Sequence, residues 1–196
     1  MAYSESMSHT PSEEPRRDRL TVADYHRMGE AGILPPDARV ELIDGAITYM
    51  PPIGHRHLGT VDRLNRILGK AVQDRAIVRV QGSIRLGQFS EPQPDVVLLR
   101  SRSDFYTTSP AAIADVLLVI EVAFTSQRFD RNVKLPLYAR HGVAEVWLID
   151  LAAQSLTRHR HPQQDRYTEA DRPDLSAPLV IGALPDVPID LSALFT

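Results

Sequence analysis

The chain has 196 residues, no cysteine and a formal net charge of −3 at pH 7. Without cysteine there is no disulfide framework, thiolate zinc site, iron–sulfur cluster or cysteine nucleophile, and an acidic balance excludes a broadly basic protein that coats nucleic acid. With 43% apolar and 24% charged residues the chain reads as one ordinary globular domain. Its apolar runs, such as 116–120, are too short to cross a bilayer. Acidic Glu5, Glu13 and Glu14 precede any apolar stretch, so no signal peptide is visible and a soluble, cytoplasmic protein is expected.

Residues 1–19 are polar and read as a disordered N-terminal tail, with 20–196 as the folded domain. Thr21 is an N-cap for a short amphipathic helix ending near Gly29 or Gly32. Residues 39–50 predict a hairpin, since Val40, Leu42, Ile47 and Tyr49 alternate about Asp44-Gly45, a type I′ turn signal. A helix is expected over 57–74, with Val61, Leu64, Ile67, Leu68 and Val72 on one face. Strands are expected at 76–80, 83–86, 96–100 and 113–122, the last apolar enough for a central position. After a turn at 124–128, residues 128–140 suit a helix in which Pro136 makes a kink or a break. A buried strand at 143–151 pairs with 155–161. Beyond 162 the chain reads as loop, apart from a short strand at 187–189 and a turn at 191–195. The order implies an α/β (α+β mixed) class, a mixed β-sheet flanked by helices.

Two acids stand out against this frame. Asp95 opens the apolar strand after Pro94, and Glu121 lies near the end of the most apolar run. A lone buried carboxylate costs several kcal/mol, so each requires a partner. Either Asp95 caps a turn and Glu121 pairs with a structural arginine, or the two converge from adjacent strands. Two carboxylates about 5 Å apart repel by roughly 3 kcal/mol at an effective dielectric of 20. A divalent cation removes that repulsion, and hard oxygen ligands suit Mg²⁺ or Mn²⁺. Glu41 shares a strand face with Ile43 and is a third acid for such a site or an exposed strand residue. Lys134 is one of only two lysines among 22 basic residues. It is either a surface partner of Asp130 at i,i+4, worth about 0.3–0.5 kcal/mol, or a compact charge serving a reaction, with Asp130 and Tyr138 one turn to either side. His57 opens the long helix, where it could meet a phosphate. The His55-x-His57 and His159-x-His161 pairs lack a third ligand of matching type. No Gly-x-Ser-x-Gly elbow surrounds Ser126, and there is no phosphate-cradling glycine loop.

Taken in order, Arg39-Val40-Glu41-Leu42-Ile43-Asp44-Gly45, Arg56-His57, Glu91-Pro92-Gln93-Pro94-Asp95-Val96, Val119-Ile120-Glu121-Val122-Ala123 and 130–140 resemble the Uma-two family of restriction-endonuclease-like proteins, of the PD-(D/E)xK superfamily. The resemblance spans about 20–195. It implies a restriction-endonuclease-like core and metal-dependent hydrolysis of phosphodiester bonds in DNA. It assigns Asp95 to the Pro-Asp motif and Glu121 to the second acid, the two holding Mg²⁺ or Mn²⁺ with a backbone carbonyl and waters. The lysine expected two residues on is absent, since position 123 is Ala; the resemblance moves it to Lys134, which would position the nucleophile. Glu41 matches an early glutamate, while His57 and Tyr138 are supporting residues. Arg128 and Arg131, with Arg140, would face the nucleic-acid backbone. Cutting both strands usually takes two sites, so a homodimer is expected. The alternative is a non-catalytic nucleic-acid-binding or interaction protein on the same fold.

Overall fold

The computed structural model describes residues 18–123 and 127–195. The turn expected at 124–128 falls largely outside them, as does nearly all of the expected tail. Helix α1 (Val22–Glu30) starts at a full capping box, in which Thr21 accepts from the Asp24 amide and the Asp24 carboxylate accepts from the Thr21 amide. Strands β1 (Val40–Ile43) and β2 (Ala46–Tyr49) form the expected hairpin. Asp44 and Gly45 both have positive φ, as a type I′ turn requires. Gly45 has a second reason to be glycine: a Cβ there would lie 2.6 Å from the Arg19 Cβ. Arg19 therefore belongs to the fold and not to the tail. Its Nε donates to the Asp44 carbonyl at 2.9 Å, and its guanidinium stacks on Phe89.

The main sheet has six strands in the order β3 (Ala76–Val80), β4 (Val96–Arg100), β5 (Val116–Ala123), β6 (Glu145–Asp150), β7 (Ser155–Gln163), β8 (Arg166–Asp171). Only β5 and β6 run parallel, so the sheet is mixed, as expected. Helix α2 (His55–Val72) covers one face. Its Val61, Leu64, Leu68 and Val72 pack on Val96 and Leu98 of β4 and on Leu118 and Ile120 of β5. Lys70, in its last turn, is exposed. The other face takes Val97, Leu99 and Val119 together with Leu137 and Tyr138 from the helix that follows β5. That helix is composite: α3 (Gln127–Phe129), a π-helical turn (Asp130–Lys134), then α4 (Leu135–Arg140), with Pro136 at the start of α4. A second hairpin, β9 (Leu179–Ile181) with β10 (Leu184–Ile189), closes the α2 face.

Three expectations need correction. Residues 83–86 make no strand: Ile84 and Leu86 are buried, but their amides donate to Pro92 and Ser90 carbonyls within a folded-back loop. The run expected to start a strand at 113 starts with a 3₁₀ turn (Ile113–Asp115) instead, and β5 begins at Val116. The region beyond 162 holds β8 and β9 as well as β10. Strand β8 is an edge strand with no run of large apolar residues to signal it.

Candidate active site

Strand parity places the two acids. Side chains two apart on a strand share a face. Asp95 therefore follows Val97 and Leu99, and Glu121 follows Val119, onto the face covered by α4. The pairing of β4 with β5 slips between Leu98 and Leu99, which face Leu118 and Val116. That bulge lies on the far side of Leu118 from Glu121 and leaves the register Val96↔Ile120 intact beside the acids.

Asp95 is held on both oxygens. Its Oδ2 accepts from the Val122 amide at 2.8 Å, and its Oδ1 lies 3.0 Å from His57 Nε2, in the first turn of α2. Glu121 is buried, and its Oε1 accepts from the Tyr138 hydroxyl at 2.5 Å. Lys134 is 5% exposed, which excludes the surface pair with Asp130 as its setting. Its Nζ lies 3.2 Å from Glu121 Oε1 and 3.2 Å from Glu41 Oε1. Glu41 is likewise buried, not an exposed strand residue, and its Oε2 accepts from the Gln93 amide at 3.0 Å. The structure thus joins Glu41, Lys134, Glu121 and Tyr138 in one chain of contacts, with Asp95 and His57 beside it.

The electrostatics are unbalanced. Glu41, Asp95, Glu121 and Asp130 all line one cavity of about 890 Å³, against the Lys134 ammonium and the guanidinium groups of Arg39 and Arg56. Burial pushes the Glu121 carboxyl up to about 8; Asp95 and Asp130 add to the rise, and Lys134 and the Tyr138 hydrogen bond oppose it. For Lys134, burial favours the neutral amine, but Glu121, Glu41, Asp130 and Asp95 outweigh burial and hold the ammonium above the usual lysine range. Burial and Glu121 raise the Tyr138 phenol well above its ordinary value, so it is a neutral donor.

This donor set suits a hard cation: carboxylate oxygens, excess negative charge and no thiolate. Among the described residues no three His, Asp or Glu side chains form a ready-made cage. Asp95 and Glu121 would share an ion with backbone oxygens and water.

The arginines assigned to a nucleic-acid backbone lie elsewhere. Arg128 and Arg131 are exposed but do not line the cavity. Arg131 lies 3.8 Å from Asp150, and Arg140 pairs with Asp44. The cavity is bordered instead by Arg39 and Arg56. Gln93 is a further site residue, through its backbone amide. Its signal was the Pro92-Gln93-Pro94 run, which leaves one amide between two prolines, free of a strand ladder and available to Glu41.

The Uma2 (Uma-two) family model, described as "Putative restriction endonuclease", matches residues 22–192. The chain belongs to the Uma2 family. Among solved structures it is similar to a protein of Anabaena variabilis described as a "putative nuclease belonging to DUF820", with 19% identity and a TM-score of 0.66 over 90% of this chain and 97% of that one. At that identity the likeness concerns the fold, a mixed sheet with flanking helices. No curated protein matches the chain. Among the described residues of this Uma2 protein no helix is long and apolar enough to cross a membrane.

Proposed function

We propose that this Uma2 protein is a metal-dependent endonuclease that hydrolyses phosphodiester bonds in DNA. The observation that carries the reading is Lys134, a buried lysine drawn between Glu41 and Glu121 on the wall of an open cavity that Asp95 also lines. A structural ion pair has no need of a solvent-connected cavity or of a surplus of carboxylates.

In the reaction a water oxygen attacks phosphorus and the bond to the leaving deoxyribose oxygen breaks; the attacking water gives a proton to solvent, and the leaving oxygen takes one from solvent. Asp95 and Glu121 would hold a divalent cation, Mg²⁺ or Mn²⁺, which would supply positive charge to offset that of the phosphate. The Lys134 ammonium stays protonated, so it orients the attacking water and offsets negative charge developing at phosphorus. Glu41 fixes the direction of that ammonium. His57 Nε2 lies 3.0 Å from one oxygen of Asp95, and the Val122 amide holds the other oxygen, so the Asp95 carboxylate keeps one orientation. Tyr138 donates to Glu121 and fixes its rotamer. Cleavage of both strands of a duplex calls for two such sites, which two copies of the chain would supply.

The test is nicking of supercoiled plasmid with Mg²⁺ or Mn²⁺. Wild type is expected to convert it to open circle, and Asp95→Ala to leave it intact. Equal conversion by both proteins would overturn the assignment.

A further inference from the structure

We propose that the cavity takes an unpaired stretch of DNA, with a base against the rim formed by Tyr49 and its neighbours, in preference to an intact duplex. The inference rests on the nuclease reading above and narrows its substrate.

The shape of the cavity favours a single strand. A cavity of about 890 Å³ is of the size that encloses a compact ligand, about 300–1,000 Å³. Glu121 and Lys134 are buried in its wall, at 3% and 5% exposure, so the scissile phosphate must be brought in to them. A single strand can feed a nucleotide inwards. A duplex is stiff, with a persistence length of about 150 base pairs, and must be bent or opened to do the same.

The chemistry of the rim favours it as well. Tyr49 ends β2, is 74% exposed and lines the cavity, so its ring face is open to a ligand. Met50, Pro51, Pro52, Ile53 and Phe129 continue the lining. Such surface matches the flat apolar face of a base. Paired bases present those faces only to one another, whereas unpaired bases offer them to the protein.

Charge favours it too. Duplex DNA carries one negative charge for about every 1.7 Å of its axis, and Lys and Arg side chains that neutralise its phosphates supply much of a protein's grip on it. Apart from Lys134, already matched to Glu41 and Glu121, the Arg or Lys side chains on this cavity among the described residues are Arg39 and Arg56. Two arginines suit a short run of single strand held largely by stacking.

The experiment compares cleavage of a labelled single-stranded oligonucleotide with that of the same strand annealed to its complement, in Mn²⁺. The single strand is expected to be cut at least about tenfold faster below saturation. Tyr49→Ala should raise KM for the single strand about 5- to 100-fold with kcat little changed, and Tyr49→Phe should restore it. A duplex cut as fast as the single strand, or a Tyr49→Ala protein with unchanged KM, overturns the inference. Should neither form be cut, the nuclease reading fails, and fluorescence anisotropy of the same oligonucleotides decides the inference alone. Tighter binding of the single strand that is lost in Tyr49→Ala upholds it, and equal or absent binding overturns it.

Discussion

Lys134 reaches two carboxylates at 3.2 Å and is 5% exposed. Arginine keeps the charge but brings a larger planar head. Lys134→Arg should therefore retain the fold and lose turnover by about 10²-fold or more in a single-turnover cleavage assay. Rates within about threefold of wild type would show that only the charge matters. Lys134→Met removes the charge and leaves Glu41 and Glu121 facing each other without a cation. Chemical denaturation should register a loss of about 3–5 kcal/mol, the cost of breaking a buried pair from one side. Glu121 adds a pH signature. Its folded pKa, raised to about 8, lies above its ordinary 4.5, so the folded state binds the extra proton between those values. Without metal, stability is therefore highest near the low end of that window and falls as pH rises towards 8. Thermal melts at pH 5.5 and 8.5 should show wild type losing several degrees, and Glu121→Gln losing much less. A wild-type melting temperature that rises across the window would contradict the burial argument.

The composite helix explains how one face can present Asp130, Lys134 and Tyr138 to the site. In an α-helix four residues overshoot the 3.6-residue turn, so residues four apart drift round the axis. The π-helical turn, closed by the Leu135 amide on the Asp130 carbonyl, is wider and reduces the drift over its length. Pro136 has no amide to give, which blocks an ordinary α-helical bond at that point. Pro136→Ala should raise the melting temperature, because an α-helical bond becomes available, and lower turnover, because Lys134 is no longer held in register with Glu121. An unchanged rate would separate the wide turn from the chemistry. The sequence marked Pro136 as a kink but could not reveal the turn before it, since apolar periodicity is counted against 3.6 residues. Sheet elements were legible where apolar residues alternate or run unbroken, as in β3, β4 and β6. At 83–86 the alternation of Ile84 and Leu86 was real, but it reports burial, and these residues are buried as part of a loop.

Over the whole molecule, Glu41, His57, Asp95, Glu121 and Lys134 come from the β1–β2 hairpin, α2, the residue before β4, β5 and the helix after it, yet line a single cavity. Their convergence was legible because an acid within an apolar run must find a partner. The fate of the arginines was not, because Arg131 and Arg140 pair with Asp150 and Asp44, residues distant from them in sequence. A divalent cation binding only the folded protein at 100 times its Kd should add about 2.7 kcal/mol. Melts with and without Mn²⁺ should show that gain in wild type and not in an Asp95→Ala, Glu121→Ala double variant. At the N-terminus, deletion of 1–17 is expected to leave the melting temperature unchanged. A cut that also removes Asp18 and Arg19 should lower it, because the stack on Phe89 and the bond to Asp44 are lost.

The contrast between the two lysines gives the protein a built-in reporter. An amine-reactive reagent meets Lys70 in the open on the last turn of α2, and Lys134 only through the cavity, where its ammonium is strongly held in the unreactive protonated form. The ratio of acylation at the two positions, read by peptide mass spectrometry, therefore gauges how tightly the site is closed. No engineered label is required, and any metal, oligonucleotide or substitution that loosens the grip of Glu41 and Glu121 will register as modification of a single residue.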